Sequence, residues 1–202
     1  MRKIERENSG KMKAGQDLVA AGFAGMAGTQ RILEARRQEL LQRFSAEYLE
    51  MAEEKIQQYR MCMKKLSTED LRMGQLSEKF GVTEYEPAGE GGILTAIWTL
   101  TGAYEMGVTF SLRDIPVLQE TIEICEQYEL NPYRLYSDDC CLMTAVNGGQ
   151  LVRSLAEIDI PAKVIGKMNR GIAREMIIDG GRGFLERPQT DELWKVLQNE
   201  QQ

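Results

Sequence analysis

The sequence predicts an α/β (α+β) fold, a layered sheet domain with flanking helices preceded by a mostly helical lead-in. Three observations predict it. Short runs of strand-forming residues alternate with amphipathic segments through most of the chain. Glycine-containing turns stand where one kind of segment passes into the other. The run Asp-Gly-Gly-Arg-Gly at 179–183 sits between two apolar runs and marks a hairpin. Alternation of this kind packs helices on a sheet in two or three layers. A chain of 202 residues is the length of one domain. It can bury roughly 70% of its unfolded surface, so it needs no metal or disulfide to fold.

The elements follow in order. Residues 1–13 are polar and expected to be loose. Residues 17–23 read as a strand that runs into the small-residue turn from Gly25 through Gly28 to Thr29. Thr29 is expected to cap a helix over 30–44, whose apolar face carries Leu33, Leu40, Leu41 and Phe44. Ser45 caps a second helix with Leu49, Ala52, Ile56 and Tyr59 on one side. The capping-box-like run 67–70 starts a third helical piece that ends near Gly81. The expected organisation is one domain over 14–198, helical over 14–80 with an α/β core over 81–198.

In that core, 82–86 reads as a strand, followed by Gly89, Glu90, Gly91 and Gly92 and a helix bearing Ile93, Ile97, Leu100 and Tyr104. Residues 107–112 form the next strand. Pro116 opens a helix lined by Leu118, Ile122 and Cys125, which Asn131 and Pro132 break. Ser137, Asp138 and Asp139 lead into a strand over 140–146. The turn 147–149 starts a helix with Leu151, Val152, Leu155 and Ile158. Strands over 161–168 and 174–178, the hairpin, a short strand at 184–185 and a helix over 191–198 close the chain. There is no internal repeat and no low-complexity segment.

Composition narrows the function. Lys and Arg total 25 against 31 Asp and Glu, a net charge of −6, which argues against a nucleic-acid binder. Apolar residues make up 43% and charged residues 28%, the balance of a soluble globular protein. There is no histidine, which excludes Ser-His-Asp and Cys-His catalysis and His-ligated zinc. The charged N-terminus has no apolar run behind it and is not a signal peptide. The longest apolar stretch, around 93–100, is far short of the ~20 residues a membrane span needs. Cys62, Cys125, Cys140 and Cys141 form no C-x-x-C pair, and a bond between the adjacent two would be strained. They read as reduced, buried thiols of a cytoplasmic protein rather than metal ligands.

Several residues carry two readings. Gly89, Gly91 and Gly92 could present backbone N–H groups to an anion at a helix start, or serve a tight strand-to-helix turn. Glu90 could be a metal ligand or base, or a first-turn acid favoured by the helix dipole. Gly25, Gly28 and Thr29 could approach a ligand, or form a turn and cap. Asp138 and Asp139 would repel a polyphosphate unless a cation sits between them. Here turn chemistry is the favoured reading over a metal bridge. Gly180, Gly181 and Gly183 lack the Lys-Ser/Thr of a P-loop and read as the hairpin turn. Residues 34–43 carry mixed charge and read as a solvated face. Met61, Met63 and Met73 could form a partner surface, with core filling the default.

Five runs in order carry a resemblance: Gly-Gly-Ile-Leu-Thr-Ala-Ile-Trp at 91–98, Ile-Pro-Val-Leu-Gln-Glu-Thr-Ile-Glu-Ile-Cys at 115–125, Leu-Asn-Pro-Tyr at 130–133, Val-Ile-Gly-Lys at 164–167, and Phe-Leu-Glu-Arg-Pro at 184–188 with Asp-Glu-Leu at 191–193. With the upstream runs 13–19 and 25–29, they resemble the C-terminal domain of the AIR synthase-related (PurM-like) superfamily over residues 11–197. The nearest branch is the HypE-type hydrogenase maturation factors. The resemblance implies an ATP-using family. Its N-terminal domain dimerises, carries acidic magnesium ligands and forms most of the ATP site, and glycine loops of the C-terminal domain complete that site. HypE-type enzymes dehydrate a carbamoyl group carried on a C-terminal cysteine to cyanide. On this sequence the implied nucleotide contacts are Gly25, Gly28, Thr29, Gly89, Glu90, Gly91, Gly92 and Ser137, with ATP and Mg2+ as the cofactor.

The sequence also departs from that pattern. It begins just before the first strand of the resemblance, so the N-terminal ATP-binding domain is expected to be missing. Glu86, Pro87 and Gly89 stand where the family has His-Asp and a small hydroxyl residue. The chain closes on Asn-Glu-Gln-Gln without a terminal cysteine. Asp138 and Asp139 replace part of a small Ser/Gly loop. The expectation is a non-catalytic binding or accessory module. It would work as a homodimer, or with a separate protein that supplies the missing half, and without nucleic acid or membrane. The alternatives are a subunit of a split ATP-dependent enzyme and a remnant that binds a small metabolite.

Overall fold

Strand β1 (Asp17–Ala21) is an interior strand, third from one edge, of a seven-stranded sheet in the computed structural model, which describes residues 12–67 and 81–197. With β2 (Val82–Gly89), β3 (Gly107–Ser111), β4 (Ser137–Ala145), β5 (Ala162–Asn169), β6 (Arg174–Ile178) and β7 (Gly181–Phe184), the order is β2-β4-β1-β5-β3-β6-β7. Every neighbouring pair is antiparallel except β3 and β6. Asp17 pairs with Ala145 on one side and Lys167 on the other. A strand from the start of the chain thus lies between two from its second half.

The period of two along the strands sorts side chains to the two faces. Leu18, Ala20, Cys140, Leu142, Val108 and Phe110 pack with Ile93, Ile97 and Leu100 of the helix Gly92–Ala103, called α3 below. Val19, Ala21, Cys141 and Met143 face the other way, against Leu151 and Leu155 of the helix Gly148–Ala156. The adjacent Cys140 and Cys141 therefore point to opposite faces, and all four cysteines are free thiols. A third cluster joins α1 (Met26–Leu40), α2 (Ala46–Ser67), the helix Gln119–Gln127 and the helix Leu193–Leu197 through Ile32, Leu49, Ile56, Ile124 and Leu193. The 22-residue α2, roughly 33 Å long, bridges two clusters. Its Leu49, Ala52 and Ile56 serve the helical cluster, and its Met63 and Leu66 the sheet.

Some boundaries differ from the sequence reading. Gly25, in left-handed conformation at φ 75°, is the residue before α1, so Thr29 sits inside the first turn and does not cap it. α1 ends at Leu40 rather than residue 44, after Arg36 leaves helical geometry at φ −118° and ψ 20°. The helix lined by Leu118, Ile122 and Cys125 buries Thr121, Ile124 and Cys125, and Ile122 is half-buried. β4 begins at Ser137, so the acidic pair lies inside the strand, where Gly89 pairs with Ser137. The third helical piece expected over 67–81 lies outside the described residues except at its ends. So does the loose stretch over 1–13, except Met12, which is buried, and Lys13. Among the described residues no helix is long and apolar enough to cross a membrane.

Candidate functional site

The turns singled out in the sequence meet at one end of the sheet. β1 and β2 both run toward that end and pass through glycines into α1 and α3, while β4 starts there. All of them close around the segment 132–137. The Gly25 N–H donates to Ser137 Oγ at 2.7 Å, and that hydroxyl donates to Leu135 O at 2.7 Å. The Gly28 N–H donates to Tyr136 O at 2.8 Å. Thr29 Oγ1 lies 2.9 Å from Gly25 O and 3.1 Å from Thr121 Oγ1, inside the protein. A Cβ on Gly28 would stand 2.4 Å from Leu135 Cγ, and one on Gly92 would stand 2.5 Å from Tyr133 O. The small residues let three backbone segments touch.

Asp191 joins the same region from the far end of the chain. Its Oδ2 accepts the Gly91 N–H at 2.6 Å, and its Oδ1 accepts the N–H groups of Tyr136 at 3.1 Å and Leu193 at 2.9 Å. The residue is 3% exposed. Burial and the neighbouring Glu90 push its carboxyl up from the usual range, and the three N–H groups pull it down. Glu90 is exposed and accepts Trp194 Nε1–H at 3.3 Å, a contact that ties α3 to the C-terminal helix.

Beside this clasp lies a cavity of about 230 Å³ between α2, β2 and β4. Its walls include Arg60, Met63, Leu66, Tyr85, Asp139 and Cys141. Of its charged groups, Arg60, Lys64, Asp138 and Asp139, the last is the most buried, with a side chain only 6% exposed. Arg60 supplies the cation between the two acids: Nε lies 3.1 Å from Asp139 and Nη2 lies 3.6 Å from Asp138. Burial raises the Asp139 carboxyl to about 6, against the pull of Arg60 and of the Asp139 and Ala27 backbone N–H groups. Burial also pushes the Cys141 thiol up to about 12 and Cys140 well above its ordinary value. Both stay protonated at neutral pH, unlike a nucleophilic or metal-binding cysteine. Among the described residues no three Cys, Asp or Glu side chains come together to hold a metal ion.

The residues picked from the sequence thus come together around the segment 132–137, and they bond within the chain, to one another and to Thr121, Leu135, Tyr136, Asp191 and Trp194. Sequence reasoning missed Asp191 and Arg60. Asp191 lies 100 positions from Gly91, and nothing local links the two. The signal for Arg60 was the unbalanced acidic pair at 138–139, which demands a nearby cation.

No protein-family model and no curated protein matches the chain. Solved structures do match its fold. HypE from E. coli, a hydrogenase maturation protein, superposes with a TM-score of 0.67 and 18% identity over 95% of this chain and 56% of that one. A structure of the HypE–HypF complex matches with a TM-score of 0.62 and 15% identity, over 89% of this chain and 55% of that one. Thiamine-monophosphate kinase from Stenotrophomonas maltophilia matches at 0.55 and 15% identity, over 84% and 52%. The chain spans about half the length of each. At this level of identity the likeness is one of fold: the chain has the PurM-like, AIR synthase-related fold of these proteins.

Proposed function

We propose that this chain is a non-catalytic binding module with the PurM-like fold, whose glycine turns hold the chain to itself rather than to a nucleotide. The Asp191 carboxylate at the Gly91 N–H carries the reading. It places a negative group where a helix start would otherwise receive a phosphate. A phosphate at that point would have to displace a buried side chain that bonds three backbone N–H groups. The Gly25 N–H is likewise taken, by Ser137, and Asp138 beside it adds repulsion. The turns as packed do not fit a triphosphate, and we assign no step to one.

A partner completes the reading. Ile172, Ile177, Ile178 and Phe184 are exposed on and beside the β6–β7 hairpin, an apolar surface suited to a second copy or another protein. The complex of HypE with HypF supports protein partnership for this fold. Four free thiols support a reducing compartment.

The competing reading, one half of a split ATP-dependent enzyme, is favoured by the half-length match to HypE. Melting the protein with ATP, with and without magnesium, separates the two. A nucleotide at 100 times its Kd adds about 2.7 kcal/mol, a rise of roughly 5–10 °C at this size. The module reading expects no rise; a magnesium-dependent rise of that size refutes it.

A further inference from the structure

We propose that the cavity between α2, β2 and β4 binds a small primary amine with a short apolar body, its ammonium group held by Asp139. The inference concerns a different site from the glycine turns and does not rest on how those are read. The cavity, about 230 Å³, has room for a molecule of on the order of ten non-hydrogen atoms. Met63 and Leu66 of α2 and the ring of Tyr85 give it apolar walls. Its polar floor is the carboxylate of Asp139, nine-tenths buried. Neither oxygen of that carboxylate receives a well-directed hydrogen bond. Arg60 balances its charge but divides its guanidinium among Asp139, Asp138 and Gln30. Lys64 and Arg60 stand at its wall, yet the Asp139 oxygens still lack a well-aimed donor.

The alternatives fit less well. A buried carboxylate whose neighbouring donors are poorly aimed costs free energy that a well-placed incoming donor recovers. An ammonium group brings three donors and the matching charge. A phosphate or carboxylate ligand would face Asp138 and Asp139. A divalent metal finds no third ligand among the described residues. The thiols of Cys140 and Cys141, pushed up by burial, stay neutral and offer no competing charge.

The test is calorimetric titration of the full chain with 3-methylbutylamine, and with 3-methylbutan-1-ol as its neutral analogue. The expected result is saturable binding of the amine, at least about tenfold tighter than the alcohol, from one charge-assisted contact. Asp139→Asn should weaken the amine at least about tenfold and leave the alcohol unchanged. Should that variant not fold, the wild type decides through pH. Arg60 and Lys64 of α2, Tyr85 of β2, and Asp138, Cys140 and Cys141 of β4 face Asp139, with the start of α1 at Ala27. Burial moves Tyr85 and both thiols upward, away from the acid range, so Asp139 ionises near 6 and amine affinity should rise between pH 5 and 7. Absence of saturable amine binding up to millimolar concentration overturns the proposal. So does equal affinity for the alcohol, or an affinity flat with pH.

Discussion

Removing the Asp191 carboxylate leaves the backbone N–H groups of Gly91, Tyr136 and Leu193 without their acceptor. At about 1 kcal/mol for each lost bond, Asp191→Ala should cost about 3 kcal/mol in urea unfolding. Asp191→Asn, which keeps one acceptor oxygen, should cost about half as much. Equal and negligible losses for both would contradict the clasp. Asp139 makes the opposite kind of statement. Its carboxyl is raised from 3.8 to about 6 in the fold, so folding favours its protonated form. That penalty is absent below pH 4, grows as pH rises toward 6, and is constant above, at about 3 kcal/mol. The stability of Asp139→Asn relative to wild type should climb across that window. A difference flat from pH 4 to 7 would show that Asp139 is not desolvated. At this scale the sequence showed which residues are chemically notable but not their partners. Glycines and acids are visible as types; the contacts of Gly91 with Asp191, and of Gly25 with Ser137, span about a hundred residues.

The elements were more legible, because periodicity is local. Leu49, Ala52 and Ile56 repeat as a buried helical stripe, and the alternation 140–143 divides the sheet faces as expected. What local signals missed were the ends. Thr29 looks like a cap, but the close approach of α1 to residues 132–137 moves the helix start back to Gly25. The two glycines around α3 offer a direct test. A Cβ on Gly89 meets nothing within 4 Å, whereas one on Gly92 meets the carbonyls of Tyr133 and Leu135 at 2.5 and 2.8 Å. Both have φ +67°, so each alanine carries about 1–2 kcal/mol of backbone strain. Gly92→Ala should lose at least about 2 kcal/mol more than Gly89→Ala, because backbone atoms cannot yield as a side chain can. Equal losses would mean that this clasp is loose.

At the scale of the whole molecule, the sheet keeps both faces partly covered and leaves its β6–β7 end bare. Phe184 is 71% exposed and Ile172 72%. Light scattering should find an assembly, or affinity capture a partner, and Phe184→Asp should weaken it; a monomer without partners would contradict a docking role for the hairpin. The fold class was legible as a whole because strand, turn and helix signals agree along the chain. The site was not, since its character depends on which distant carboxylate reaches which turn.

The most direct measurement is an NMR titration of the backbone amides of Gly25 and Gly91 with magnesium and ATP. Bonded within the chain, both amides should exchange slowly with solvent and keep their chemical shifts as nucleotide is added. Rapid exchange of both in the free protein, or a saturable movement of both with magnesium-ATP, would show that these turns are open to phosphate, and the account of a closed clasp would fall.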